Sequence, residues 1–199
     1  MGNAVNRFRL AVAALAALTL AACYPPTTTH PIGTSSGLKP DPMLAGLWKG
    51  KAASGGEDGA YFHFLQQHDG SITAILVQAG NQPDGDWNLV TLTTARVGAN
   101  RIMNARMISS NGKPETDAPA GTIPVLYRIT TNGRLTLYMM DETAVKAAIT
   151  AGKIKGTIEK GSLGDVAITA DPVELDAFMA SGDGRALFTK PFFVLRKMD

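Results

Sequence analysis

Ile123-Pro-Val-Leu-Tyr-Arg-Ile-Thr-Thr-Asn-Gly-Arg-Leu-Thr-Leu-Tyr-Met-Met140 carries the plainest structural signal in the chain. Asn132-Gly133 is the strongest short-range hairpin signal in the chain, because a two-residue turn of the favoured hand needs positive φ at both central positions. The runs on either side, Ile123–Thr131 and Arg134–Met140, are rich in aliphatic, aromatic and β-branched residues and read as an antiparallel pair. Upstream the same grammar repeats. Tyr61–Gln67 places Phe62 and Phe64 on one face, and Asp69-Gly70 turns it into Ile72–Gln78. Trp87–Val97 carries Leu89, Thr91, Thr93, Ala95 and Val97 on one side, with Val90, Leu92, Thr94 and Arg96 on the other. Gly98-Ala99-Asn100 then leads into Arg101–Ile108, and a loop rich in Pro, Gly and Asp spans Ser109–Thr122. Strands at regular spacing with turn chemistry between them predict a mainly β domain, an antiparallel curled sheet or barrel.

The last third changes period. Asp141 is placed to cap a helix over Glu142–Ala151, with Ala144, Val145, Ala148 and Ile149 as its apolar stripe and Gly152 as its stop. Asp171 caps a second, with Pro172 at the first helical position, Glu174 in capping-box register and Gly182 as the stop. The two units share Asp141/Asp171, Ala147/Ala177 and Gly152/Gly182 at a constant offset of thirty residues. Either an internal duplication or the capping rules alone account for that offset, and a solenoid would need at least three units. Strands are expected at Lys153–Glu159, Asp165–Thr169 and Ala186–Arg196, the last pushed toward an edge or bulge by Pro191. The expected class is therefore mainly β with two short C-terminal helices.

At the other end of the chain, Arg7 and Arg9 precede an apolar run of eleven residues, Leu10 to Leu20. That is the pattern of a secretory leader, well short of the ~20 residues that span a bilayer. With Leu20-Ala21-Ala22-Cys23 the segment resembles the lipobox of a bacterial lipoprotein. The resemblance implies that residues 1–22 are removed, that Cys23 is lipidated, and that the protein is held to a membrane by acyl chains such as palmitate. Tyr24 stands where inner-membrane retention would place Asp, so the resemblance also implies the periplasmic face of the outer membrane. Residues 24–42 hold five prolines and little apolar bulk, which reads as a tether reaching up to ~50 Å from the lipid, with a single domain at 43–199.

The domain opens with Gly46-Leu47-Trp48. Gly-x-Trp on a first strand resembles the lipocalin-type barrels, in which that Trp closes one end and an Arg of the last strand packs across it. The resemblance makes Arg196 the partner of Trp48.

Composition narrows the functions. Of 19 Lys+Arg against 17 Asp+Glu, the two leader arginines account for the formal net charge of +2, and a neutral domain without a basic run argues against nucleic acid. The single cysteine is committed to lipid, so it supplies no disulfide, nucleophile or metal ligand. His63 and His68 sit on opposite strand faces with no third nitrogen ligand except His30 of the 24–42 segment, and a loop of Asn81, Asp84 and Asp86 lacks the closing carboxylate of a calcium site, because position 92 is Leu92. Gly161-Ser162-Leu163-Gly164 is out of register for a nucleophile elbow, and the adjacent pairs Glu57-Asp58 and Asp141-Glu142 point apart. No catalytic residue, cofactor or metal site is read from the chain.

What is left is apolar. Met103, Met107, Met139 and Met140 join Trp48, Phe62, Phe64, Trp87, Tyr127 and Tyr138 on the central strands, where they form either a packed core or a pocket for an acyl chain or other apolar compound. Arg106 and Arg128, like Arg96, lie mid-strand and point either to solvent or to an anionic head group in such a pocket. The candidate site is thus Trp48, Phe62, Phe64, Arg106, Tyr127, Arg128 and Tyr138. Two functions follow: a non-enzymatic, membrane-anchored module that binds an apolar small molecule or an envelope protein, and an assembly factor that offers the edge Ala186–Arg196 for strand addition.

Overall fold

The computed structural model describes residues 25–53, 59–78, 86–116, 120–159 and 166–198. The leader, Cys23, Tyr24, the Glu57-Asp58 pair, Asn81, Asp84 and the 161–164 turn lie outside them.

A hairpin forms at Asn132-Gly133, but not as the two-residue turn with positive φ at both positions: Gly133 alone takes positive φ, and Thr131 and Asn132 are the central residues of the turn that it closes. Gly133 has φ +72°, its N–H donates to the Thr130 carbonyl at 3.1 Å, and Thr130 N–H donates to the Arg134 carbonyl at 2.9 Å. It joins β8 (Ile123–Ile129) to β9 (Arg134–Met139), with Val125 opposite Met139 and Ile129 opposite Leu135. Upstream run β2 (Gly46–Ala52), β3 (Ala60–Gln66), β4 (Ile72–Gln78), β5 (Asp86–Val97) and β6 (Asn100–Ser110), each antiparallel to the next, followed by a two-residue β7 (Lys113–Pro114). The final strand, β12 (Pro191–Lys197), inserts between β9 and β2. The β2–β12 pairing closes an eight-stranded antiparallel barrel. Ala186–Arg196 is therefore not an exposed edge: its strand part starts at Pro191, is hydrogen-bonded on both sides, and carries the bulge that Pro191 announces, between Pro191 and Phe193.

Closure is tight where first and last strands meet. A Cβ on Gly50 would stand 2.0 Å from the Val194 carbonyl oxygen and 2.8 Å from the Leu195 Cα, so glycine is what lets these backbones approach. Gly50→Ala is expected to destabilise the protein by about 3 kcal/mol, the upper end of the usual overpacking range, because backbone must move. A urea midpoint within error of the wild type would refute this.

Between β9 and β12 the chain builds a second layer. It comprises α1 (Glu142–Thr150), β10 (Gly156–Ile158), β11 (Val166–Ile168), α2 (Pro172–Ala180) and α3 (Gly182–Ala186). Asp141 caps α1 through a 3.0 Å bond from Ala144 N–H, and Asp171 caps α2 through 3.0 Å bonds from Val173 and Glu174 N–H. Gly182 does not end the excursion. Ser181 caps a third helix by accepting from Gly184 N–H at 3.2 Å, so three helices stand where two are expected. This layer covers the outside of β5, β6 and β8. Ala95, Val97, Ile102 and Leu126 on the strands form one buried cluster with Val145, Ile154, Leu175, Met179 and Leu187.

The stretch read as a tether is part of the body. β1 (Thr27–Thr28) pairs in parallel with β11. Thr28 and Thr122 exchange backbone bonds of 2.9 Å, and Ile32 is fully buried with its N–H and C=O both held by the Asn104 amide, at 2.7 and 2.9 Å. Asp176 on α2 accepts from Gly33 N–H at 2.6 Å, Ser35 N–H at 3.1 Å and the Ser35 hydroxyl. Pro25–Asp41 is thus a strap that runs from the second layer to the end of the barrel at Leu44, tied down by groups more than seventy residues away.

Candidate functional site: an apolar cavity open at one end of the barrel

The two ends of the barrel differ. At one, the strap delivers Asp41 as the cap of a 3₁₀ turn, Pro42–Leu44, which plugs the opening. Leu44 is fully buried, and its carbonyl accepts from Trp48 Nε1 at 2.7 Å. Asp41 accepts from the Tyr127 hydroxyl at 2.8 Å and faces Arg101 at 3.4 Å. The cation over the Trp48 ring is Lys197, with Nζ 5.4 Å from the centroid, and not Arg196. Alternation explains the correction: Phe193 and Leu195 point inward, so Arg196 points out and Lys197 is the next inward position.

Burial, and then the hydrogen bond to Asp41, push the Tyr127 hydroxyl well above the usual tyrosine range. Its folded pKa is raised above the unfolded value of about 10, so the stability tied to the neutral phenol is complete below pH ~10 and is lost as pH rises beyond it. Tyr127→Phe is expected to flatten the alkaline limb of the pH–stability curve, measured by urea unfolding between pH 8 and 11. An equally steep limb would contradict this role.

The opposite end holds a cavity of about 270 Å³ that opens to the outside. Phe62 and Phe64 from β3, Ala74 and Leu76 from β4, Val90 and Leu92 from β5, Met103, Ala105 and Met107 from β6, and Leu137 and Met139 from β9 line it. These are the inward positions of alternating strands, and Phe62 stacks edge-on against Phe193 with centroids 4.8 Å apart. Gln78 and Asn88 bring the side-chain amides in the lining, both near the mouth, and none of the described lining residues is titratable. Such a surface has no general acid, base or nucleophile to offer, and is suited to desolvating carbon chains. Its volume falls just under the roughly 300–1,000 Å³ of sites for drug-sized ligands, so the occupant is slim.

Of the seven residues predicted for a pocket, the structure brings Phe62 and Phe64 into the cavity. Trp48 and Tyr127 are buried in the barrel but belong to its plugged end. Arg106 and Arg128 are exposed on the outer face, and Arg128 lies 5.4 Å from the Tyr138 ring centroid, also outside the barrel. Neither arginine lines the cavity to receive a head group. Missed from the sequence were Ala74, Ala105 and Leu137, ordinary small or aliphatic strand residues, and Pro25, which the strap carries to the cavity mouth. Among the described residues no three His, Cys, Asp or Glu side chains come together as a metal site requires. Compared with known proteins, the chain matches no described family, no curated relative and no solved structure.

Proposed function

We propose that this protein is a membrane-anchored envelope lipoprotein whose barrel binds one slim apolar molecule, of the size and character of an acyl chain, without transforming it. The observation that carries this reading is the open, methionine- and phenylalanine-lined cavity with no titratable residue among its described lining. Methionine suits a chain that enters in several conformations, because its unbranched, polarisable thioether adapts to the occupant. The anchor rests on Leu20-Ala21-Ala22-Cys23 and on the lipoprotein resemblance; Tyr24 favours the periplasmic face of the outer membrane. The assembly-factor reading loses its element, because β12 is paired on both sides.

The test is titration of the chain from Tyr24 onward with a fluorescent fatty-acid analogue. Saturable binding at one equivalent, displaced by unlabelled fatty acid, is the expected result. A linear, unsaturable signal would defeat the proposal.

A further inference from the structure

We infer that the open end of the barrel is a membrane-docking face and that the cavity is filled from the bilayer, by one acyl chain of a membrane phospholipid. This rests on the lipoprotein and cavity readings above and adds an orientation and a ligand source to them.

Three observations carry it. First, the described residues leave no free tether. The strap is fastened from Thr27 onward, and Pro25 itself lines the cavity. Cys23 is two residues away, so its Cα lies at most about 7 Å from that of Pro25. An anchor attached there holds the mouth, and no other part of the barrel, against the lipid.

Second, this end presents apolar surface outward as well as inward. Val77, Trp87, Ile108 and Phe192 are 41%, 38%, 40% and 44% exposed, and all four stand at the strand ends that surround the opening. Phe192 also lines the cavity and packs edge-on against Phe193 at 4.5 Å, so outer rim and inner wall are continuous. Aromatic side chains beside an anchor are what a membrane–water interface accommodates best. Exposed aliphatic residues such as Leu47 and Leu65 occur at the plugged end too, and both ends carry charged residues: Lys39, Asp41, Arg96, Arg101 and Lys197 at the plugged end, Lys51, Asp86 and Lys113 at the open one. What sets the open end apart is that its exposed rim includes two aromatic rings and runs into the cavity wall.

Third, the plugged end leaves the mouth as the way into the cavity. With the mouth against the bilayer, a phospholipid chain moves from one apolar medium to another without crossing water, which removes the main barrier to its transfer. The protein's own acyl chains also reach the mouth and make the same apolar exchange, but bilayer lipid is present in large excess over them.

The chain's two tryptophans make the orientation measurable, because Trp87 is at the open end and Trp48 at the plugged end. The lipidated full-length protein is reconstituted into phosphatidylethanolamine–phosphatidylglycerol vesicles in which part of the lipid is brominated along its acyl chains. Quenching of the Trp87 emission is expected, and Trp87→Phe should remove most of it, leaving only what a brominated chain inside the barrel causes at Trp48. In parallel, phosphatidylethanolamine with a photoactivatable acyl chain should leave adducts of whole-phospholipid mass on Met103, Met107 or Met139. Quenching undiminished by Trp87→Phe, no quenching at all, or a crosslink from Cys23's own acyl chain to those methionines would each overturn the inference. A protein that fails here yet binds the fatty-acid analogue in solution keeps the cavity reading. One that binds neither loses both.

Discussion

Asp176→Ala is expected to release the strap and to cost about 3 kcal/mol of stability. The side chain is 6% exposed and accepts from Gly33 and Ser35 N–H, at 2.6 and 3.1 Å, and from the Ser35 hydroxyl. Removing it strands those donors in a buried corner, and hydrogen bonds to an ionised acceptor are worth roughly 1.5–3 kcal/mol each, less the cost of keeping the carboxylate there. Ile32, which the same turn leads into the core, should gain amide hydrogen exchange by more than tenfold. Asp176→Asn, which keeps one acceptor oxygen, should fall between the two. A urea midpoint unchanged in Asp176→Ala would show that the turn is held by packing alone. Since the strap also carries Pro25 to the mouth, its release should weaken ligand binding as well.

Ala105→Phe is expected to lower the affinity for the fatty-acid analogue at least about 100-fold, or about 2.7 kcal/mol, by putting a ring into the space the ligand needs. Ala105 lines the cavity from the middle of β6 and is only half-buried, so the ring has room to enter without moving backbone. Stability should hold or rise, because filling apolar space is a common route to a more stable fold. The next residue provides the control: Arg106 is exposed on the outer face, and Arg106→Ala should leave the affinity unchanged. Equal loss in both variants would mean that the ligand sits somewhere other than the barrel.

Much of the barrel is legible in the sequence because turn chemistry and period-two alternation are local. Asn132-Gly133 fixes the β8–β9 pair, and Phe62 and Phe64 point inward together, as their spacing requires. The same rule, applied strictly, also places the arginines. Arg106 lies between Ala105 and Met107, and Arg128 between Tyr127 and Ile129, so each is forced to the outer face once its neighbours are inside. Tyr138 follows Leu137 outward by the same logic.

The strap is not legible, for a different reason. Proline- and threonine-rich composition signals disorder because such a segment cannot bury much surface of its own. Here its few apolar and polar groups are met by Asn104, Thr122 and Asp176, partners separated in sequence by 72, 94 and 143 residues, which no local pattern exposes. Burial of both Leu92 and Ala95 on one strand is likewise tertiary, because the inner face packs in the barrel while the outer face is covered by α1 and α2. A neutral composition also hides local segregation: Lys49, Arg196 and Arg134 stand directly opposite one another across β2, β12 and β9.

Native mass spectrometry of the mature lipidated protein, extracted from its own envelope under mild conditions, decides whether the barrel carries a ligand. A single noncovalent apolar molecule bound one to one, lost on solvent extraction and missing from Ala105→Phe, is the predicted result. A wild-type spectrum identical to that of Ala105→Phe, with bare protein mass in both, would contradict it.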